Sequence, residues 1–330
     1  MLLEVNQVGK REDIANYITR IDARSKPVLA MIPKGPPANN SLVQFQVDDF
    51  EEPTDNAAVD GEDVSVFDNA SPNRAMLKTY VQKFRVAAMV SDFAENLSDV
   101  AGLKSGELAE SIMKKLEKIS RDIEAAICSD NEHQEGTGAL PYKLRGLGMW
   151  IGGAQTVFPV PAAYATPAAS LDNTPMANLT ETIINNVLQS AFEQTGKVNN
   201  FDLVLGPTLK RVFSGFTRTQ SATTNTFSSI RVYNNDASTK TITNVVDRYE
   251  GDFGNVNLHV SLFCGVLTSN AAMLRRGYLL IMDLLEWSYK RMPRVRQLED
   301  RGGGPRFLID AIGTLKVKNP KPLGKFYATT

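Results

Sequence analysis

Residues 105–129 read SGELAESIMKKLEKISRDIEAAICS. Leu108, Ile112, Leu116, Ile119, Ile123 and Ile127 recur at spacings of four, four, three, four and four, which predicts a helix with one branched apolar stripe facing a core. The other face carries Glu110, Lys114, Glu117, Lys118, Arg121, Asp122 and Glu124 and reads as solvent-facing, with Glu110 to Lys114 and Glu117 to Arg121 as favourable i,i+4 pairs. Ser105 is the expected N-cap and Glu107 sits in the first turn. The polar run Ser129, Asp130, Asn131, followed by Gly136, closes the other end. At about 1.5 Å per residue the helix is a rod of roughly 35 Å.

Immediately upstream, two alternating runs flank a polar stretch. Residues 41–50 (SLVQFQVDDF) and 79–90 (TYVQKFRVAAMV) each read as a strand. Between them Asp48, Asp49, Glu51, Glu52, Asp55, Asp60, Glu62, Asp63 and Asp68 occur without a single Lys or Arg. Such a stretch cannot build a core, so a long, acidic, exposed hairpin is expected. Basic residues return on its second side as Arg74, Lys78, Lys83 and Arg85. Further upstream, a short amphipathic segment over residues 13–21 precedes KPVLAMIPKGPPANN, whose Pro/Gly punctuation predicts an extended arm.

Downstream, residues 178–196 read as a second helix, with Asn178 and Glu181 in capping-box register and Gly196 at the end. A short buried strand over 201–205 and a helix starting at Gly206-Pro207 follow. Residues 217–243, rich in Ser, Thr and Asn, read as a long surface loop or irregular hairpin. Residues 245–263 form a hairpin whose turn holds Gly251 and Gly254. The last stretch has an apolar run at 279–285, a basic run at 289–296, the turn RGGGP, and a closing strand over 307–317. Arg294, Arg296, Arg301 and Arg306 crowd that turn, so the late part of the chain is basic where the early hairpin is acidic.

The totals limit the function classes. The chain has 330 residues and a net charge of −1, so the whole molecule neither attracts nor strongly repels nucleic acid. Two cysteines and two histidines are too few for a Cys/His zinc site, and Cys128, beside the apolar stripe, reads as a packed thiol. No Ser/His/Asp, Cys/His or HExxH arrangement can be assembled around His133 and His259. GTG at 136–138 lacks the GK[ST] of a phosphate loop, and Gly302 to Gly304 lacks the setting of a dinucleotide fingerprint. No apolar stretch has signal-peptide or membrane-span length. The expectation is a soluble α+β protein without catalytic, cofactor or metal sites, offering shape and surfaces instead.

The order of these segments carries a resemblance. The arm REDIANYITRIDARSKPVLAMIPKG, the long charged hairpin, the amphipathic helix, a central α/β region, VVDRYEGDFGNVNLHV and VRQLEDRGGGPRFLIDAIGTLKVKNPKPLG together resemble the major capsid proteins of tailed bacteriophages. These have the Hong Kong ninety-seven type fold, and the similarity is to the family of the Salmonella phage S-U-ten shell protein. The family's last turn more often reads TGD where this chain has Gly302 to Gly304.

The resemblance implies an L-shaped subunit. Residues 1–40 would be the arm, 41–90 the extended loop, 91–139 the peripheral domain with its spine helix, 140–274 the axial domain, and 275–330 the return to the peripheral domain. It implies self-assembly into hexamers and pentamers of an icosahedral shell around double-stranded DNA, in the host bacterial cytoplasm, with no cofactor and no membrane. Scaffolding, portal and decoration proteins, where present, are expected as separate chains. Glu51, Glu52 and Asp55 of the hairpin and Arg294, Arg296, Arg301 and Arg306 near the late turn are the candidate contacts between subunits, because opposite charges on a near-neutral chain suit docking between copies. An encapsulin-type compartment shares the fold and is the alternative. A soluble ligand-binding enzyme is the alternative of a different class.

Overall fold

The computed structural model describes residues 26–51, 53–57, 60–61, 63, 67, 73–96, 106–215, 218–220, 227–229, 246–263 and 275–327. The amphipathic segment at 13–21, the N-cap Ser105, the contact candidate Glu52 and Cys264 lie outside the described residues.

The arm is not wholly extended, because Pro27–Met31 forms a short helix, α1. Pro27 opens it, where a missing N–H removes no helical bond. Past α1 the chain lies alongside Trp287, whose amide donates to Pro33 O while the Gly35 amide donates to Trp287 O, both at 2.9 Å. β1 (Leu42–Val47) then pairs antiparallel with β2 (Ala75–Tyr80), with Leu42 opposite Tyr80 and Val47 opposite Ala75.

The alternating run 79–90 is two strands rather than one. β2 ends at Tyr80, the Val81 amide donates to Ser41 O at 2.9 Å, and β3 (Gln82–Met89) enters a different sheet. The Thr314 hydroxyl holds this crossing by donating to Tyr80 O at 2.9 Å. The buried positions change parity here, from Leu77 and Thr79 to Phe84 and Val86, so the step of three from Val81 to Phe84 is where a single strand's period of two breaks.

After the short helix α2 (Asp92–Asn96) comes the organising helix α3 (Gly106–Ile127), whose 22 residues give a length of about 33 Å. Its stripe is core, but unevenly. Ile119, Ile123 and Ile127 are fully buried, whereas Leu108, Ile112 and Leu116 are half-buried against the same cluster. The polar face departs from expectation more strongly, because Glu110 and Glu124 are buried rather than in water. The i,i+4 pairs form as expected, Lys114 to Glu110 at 3.4 Å and Arg121 to Glu117 at 3.4 Å. Cys128, at the end of α3, is buried.

α4 (Leu147–Trp150), β4 (Leu171–Asp172) and α5 (Glu181–Thr195) follow. The capping-box register of Asn178 and Glu181 is not used. Asn178 closes the 3₁₀ turn Met176–Asn178, and Thr180 is the N-cap residue. Gly196 does end α5, with φ of 65° in the left-handed region that glycine reaches without Cβ strain. Then come β5 (Asn199–Leu205), α6 (Pro207–Gly215), and two short paired strands in the Ser/Thr/Asn-rich region, β6 (Arg218–Gln220) and β7 (Phe227–Ser229). β8 (Arg248–Gly251) and β9 (Gly254–Val260) make the expected hairpin.

The chain finishes with β10 (Arg276–Leu280), β11 (Leu285–Leu298), β12 (Arg306–Val317) and β13 (Gly324–Tyr327). One sheet runs β11-β12-β3; the other runs β4-β13-β10-β5-β9-β8. Residues 275–330 therefore do not return to one place. β11 and β12 join β3 under α3, while β10 and β13 join β5 and β9 in the six-stranded sheet. Phe84, Val86, Phe307 and Ile309 face α3, and Phe201, Leu203, Leu205 and Val256 lie in the same continuous core.

Candidate inter-subunit surfaces

The three-stranded sheet has one face under α3 and one face turned away from it. Successive residues of a strand alternate between faces, so Phe84 and Val86 turn toward α3 while Lys83, Arg85, Ala87 and Met89 turn outward. The register continues this outer face across all three strands. Lys83, Ile312 and Arg291 form one row, Arg85, Asp310 and Arg294 the next, then Ala87, Leu308 and Arg296, and finally Met89, Arg306 and Leu298. Four rows thus carry six cations and a single acid.

That acid organises the surface. Asp310 is only 1% exposed, and it accepts hydrogen bonds from Arg291 Nη1 at 2.6 Å and Arg294 Nε at 3.2 Å. Burial pushes its carboxyl up, but the bonds and charges of the two arginines outweigh burial and hold it below the usual carboxylate range. A β-bulge between Tyr289 and Arg294 brings both guanidinium groups onto one carboxylate. Sequence reading counted Arg291 and Asp310 only in the charge balance of the late chain and did not pair them; the available signal was a lone acid inside the apolar run FLIDAIGTL.

Of the residues singled out from sequence, Arg294, Arg296 and Arg306 share this face, while Arg301 sits apart in the turn, 3.9 Å from Glu299. The turn depends on Gly304, whose φ is 109° and where a Cβ would lie 2.2 Å from Val90 O. On the hairpin, Glu51 and Asp55 are exposed. At its root the acids are already engaged within the chain, Asp48 with Arg74 and Asp49 with Lys321, each at 3.1 Å. Among the described residues, no ion pair joins Glu51 or Asp55 to the arginine face. Among the described residues, the acids of the hairpin and the basic face of one subunit do not pair with each other.

A third element bears on how the arm is held. Both oxygens of Glu124 accept amides from the start of α1, Val28 N at 3.0 Å and Leu29 N at 2.6 Å. Lys26 Nζ meets Glu117 at 2.7 Å two turns earlier on α3. Burial raises the Glu124 carboxyl to about 7, partly offset by those two amides and by Lys26.

A buried polar cluster around Arg145 acts as a brace between the end of α3 and the segment that follows α4. Arg145, fully buried, donates to Glu132 at 2.8 Å and to Val157 O at 2.5 Å. Burial and the Arg145 charge push the neighbouring His133 down to about 4, so its imidazole is neutral. No nucleophilic side chain is bonded to it. Among the described residues there is no group of three or more His, Cys, Asp or Glu side chains placed to hold a metal ion, and no helix is long and apolar enough to cross a membrane.

Comparison with known proteins agrees with this geometry. The capsid of a native GTA particle shares the fold with a TM-score of 0.61 at 12% identity, covering 98% of this chain and 96% of that one. A chain from Gordonia phage Cozz matches at 0.59 and 14% identity over 100% and 99% of the two chains. The capsid of cyanophage P-SCSP1u matches at 0.58 and 12% identity over 100% and 97%. No curated protein matches. The fold is thus that of Hong Kong ninety-seven type capsid proteins, with the sheet-backed helix α3 as its spine. A family model, described as SU10 major capsid protein, covers residues 3–330. The chain, with its acidic hairpin, its spine helix and its basic sheet face, belongs over nearly its whole length to the SU10 major capsid protein family.

Proposed function

We propose that this major capsid protein closes hexamers and pentamers of itself into a shell around double-stranded DNA, and that it performs no catalysis. The observation that supports the reading is a pair of oppositely charged surfaces that, among the described residues, make no ion pair with each other. Residues 48–68 contain nine acids and no base, and the outer rows of the three-stranded sheet carry six cations around one buried acid. Oppositely charged patches on different parts of a subunit favour head-to-side contacts between copies, and repetition closes them into a ring or shell. In this reading residues 26–40 serve as the arm and 41–80 as the extended loop. The sheet with α3 is the peripheral domain, and the six-stranded sheet is the axial domain around the capsomer axes. Assembly takes place in the host cytoplasm, with any scaffold, portal or decoration protein supplied as a separate chain.

Electron microscopy and sedimentation of the purified protein test the proposal. Large hollow particles are expected, and particles from infected cells should hold nuclease-resistant DNA. A compact monomer at every concentration would overturn assembly. Particles filled with protein and free of DNA would replace the DNA container with a cargo compartment.

A further inference from the structure

A cavity of about 390 Å³ opens on the α3 side of the sheet, between the arm and β11. Ile32, Trp287, Tyr289 and Met292 give it apolar walls, and Lys26 and Lys34 also line it. The volume falls in the range of pockets that take a ligand side chain or small molecule, roughly 300–1,000 Å³. Its apolar wall is left open, since Met292 is 62% exposed. Lys26 is held by Glu117, but Lys34 is exposed and has no carboxylate partner among the described residues.

A matching knob lies elsewhere on the same chain. Phe50 is 97% exposed, next to Asp49 and Glu51. A single exposed apolar side chain is ordinary on a protein surface; what singles out Phe50 is its aromatic ring, the residue type that anchors interfaces, set between two acids. Asp48 and Asp49 are tied to Arg74 and Lys321, which fixes the strand end that presents Phe50. Glu51, beside it, is exposed and has no ion-pair partner among the described residues. Among the described residues, none that lines the cavity comes from the hairpin.

We propose that Phe50 of one copy seats in the cavity between the arm and β11 of a second copy, with Glu51 meeting Lys34 at its edge. This rests on the assembly reading above and adds the hole and the anchor to it. It also gives the arm a role in contact, since Ile32 and Lys34 shape the seat only while α1 is fastened to α3. The basic outer face of the sheet lies on the opposite side and remains available to other charges of the hairpin.

The test replaces Phe50 with the photo-cross-linker 4-benzoylphenylalanine in assembled particles and maps the products by mass spectrometry. Cross-links between copies, landing in residues 26–34 or 287–293, are expected. Cross-links confined to one copy, or landing elsewhere, would overturn the seat while leaving the shell intact under the microscope. A charge exchange gives a second reading. Lys34→Glu should lower shell yield several-fold at low salt, and combining it with Glu51→Lys should restore most of that loss. Unchanged yield for Lys34→Glu, or no recovery in the double variant, would count against the pairing. Wild-type protein that never forms particles would remove both the seat and the assembly reading.

Discussion

The carboxylate of Glu124 accepts the backbone amide of Leu29 at 2.6 Å, joining the spine helix to an arm helix 95 residues earlier in the chain. The contact has a definite pH signature. Burial raises the Glu124 carboxyl from 4.5 to about 7, so between those values the folded subunit holds a proton that the unfolded chain has released. Stability from this group is therefore full below about pH 4.5 and declines as pH rises to about 7. A shift of this size corresponds to about 3 kcal/mol, at 1.36 kcal/mol per pH unit. Urea unfolding of unassembled subunits should show this decline between pH 5 and 7, and Glu124→Gln should remove it. An unchanged slope in the variant would mean that other groups produce it.

Ile119 has no solvent exposure and sits in the centre of the stripe. Ile119→Asp buries an unpaired carboxylate at a cost of several kcal/mol, against a total stability of about 5–15 kcal/mol. The variant should accumulate as insoluble protein, whereas Ile119→Val should stay soluble and lose about 0.5–1.5 kcal/mol. A soluble, cooperatively melting Ile119→Asp subunit would show that the stripe is not core.

Asp310 should behave oppositely to Glu124 in acid. Its folded carboxyl is held below the usual range, so its contribution is present above about pH 4 and is lost as pH falls through the depressed value. Arg291 and Arg294 are 37% and 48% exposed, and solvent screens their pull. Asp310→Asn should therefore cost only about 1–2 kcal/mol at neutral pH and flatten the loss of stability below pH 4. Thermal melts of wild type and variant from pH 3 to 7 measure both effects.

Glu51→Lys with Glu52→Lys should leave the subunit folded and its melting temperature nearly unchanged. Exposed pairs contribute only about 0–1 kcal/mol each to one chain. The yield of closed shells should nevertheless fall, most of all at low ionic strength where screening is weak. Wild-type yield at low salt would remove the hairpin's charge from assembly.

These sites differ in how far the sequence discloses them. The stripe of α3 is legible because helical period and burial coincide over six residues. The hairpin is legible because a run of acids with no apolar spacing has no way to fold inward. Glu124 is not, since an acid on a charged helical face looks solvent-bound until the arm's amides arrive from a distant segment. The crossing at Val81 is only half legible: the step from Val81 to Phe84 breaks the period of two, but a slip of parity does not say which partner each ribbon takes. Asp310 needs the bulge in β11 before two arginines can reach it. Its partners come from register, which local pattern does not contain.

The pairing of β3 with β12 also dictates when the subunit can fold. Met89 lies opposite Arg306 and Gln82 opposite Gly313, and β10 likewise waits for β13. Neither sheet can close until its late strand has been made, since β12 is the centre of one sheet and β13 joins β10 to β4 in the other. Through most of synthesis, Ile119 and Ile123 have no β12 beneath them. Such distant pairings fold slowly and leave apolar surface open to aggregation in the interval. Until the late strands are in place, the stripe that the finished sheet covers is the surface by which one unfinished subunit can stick to another.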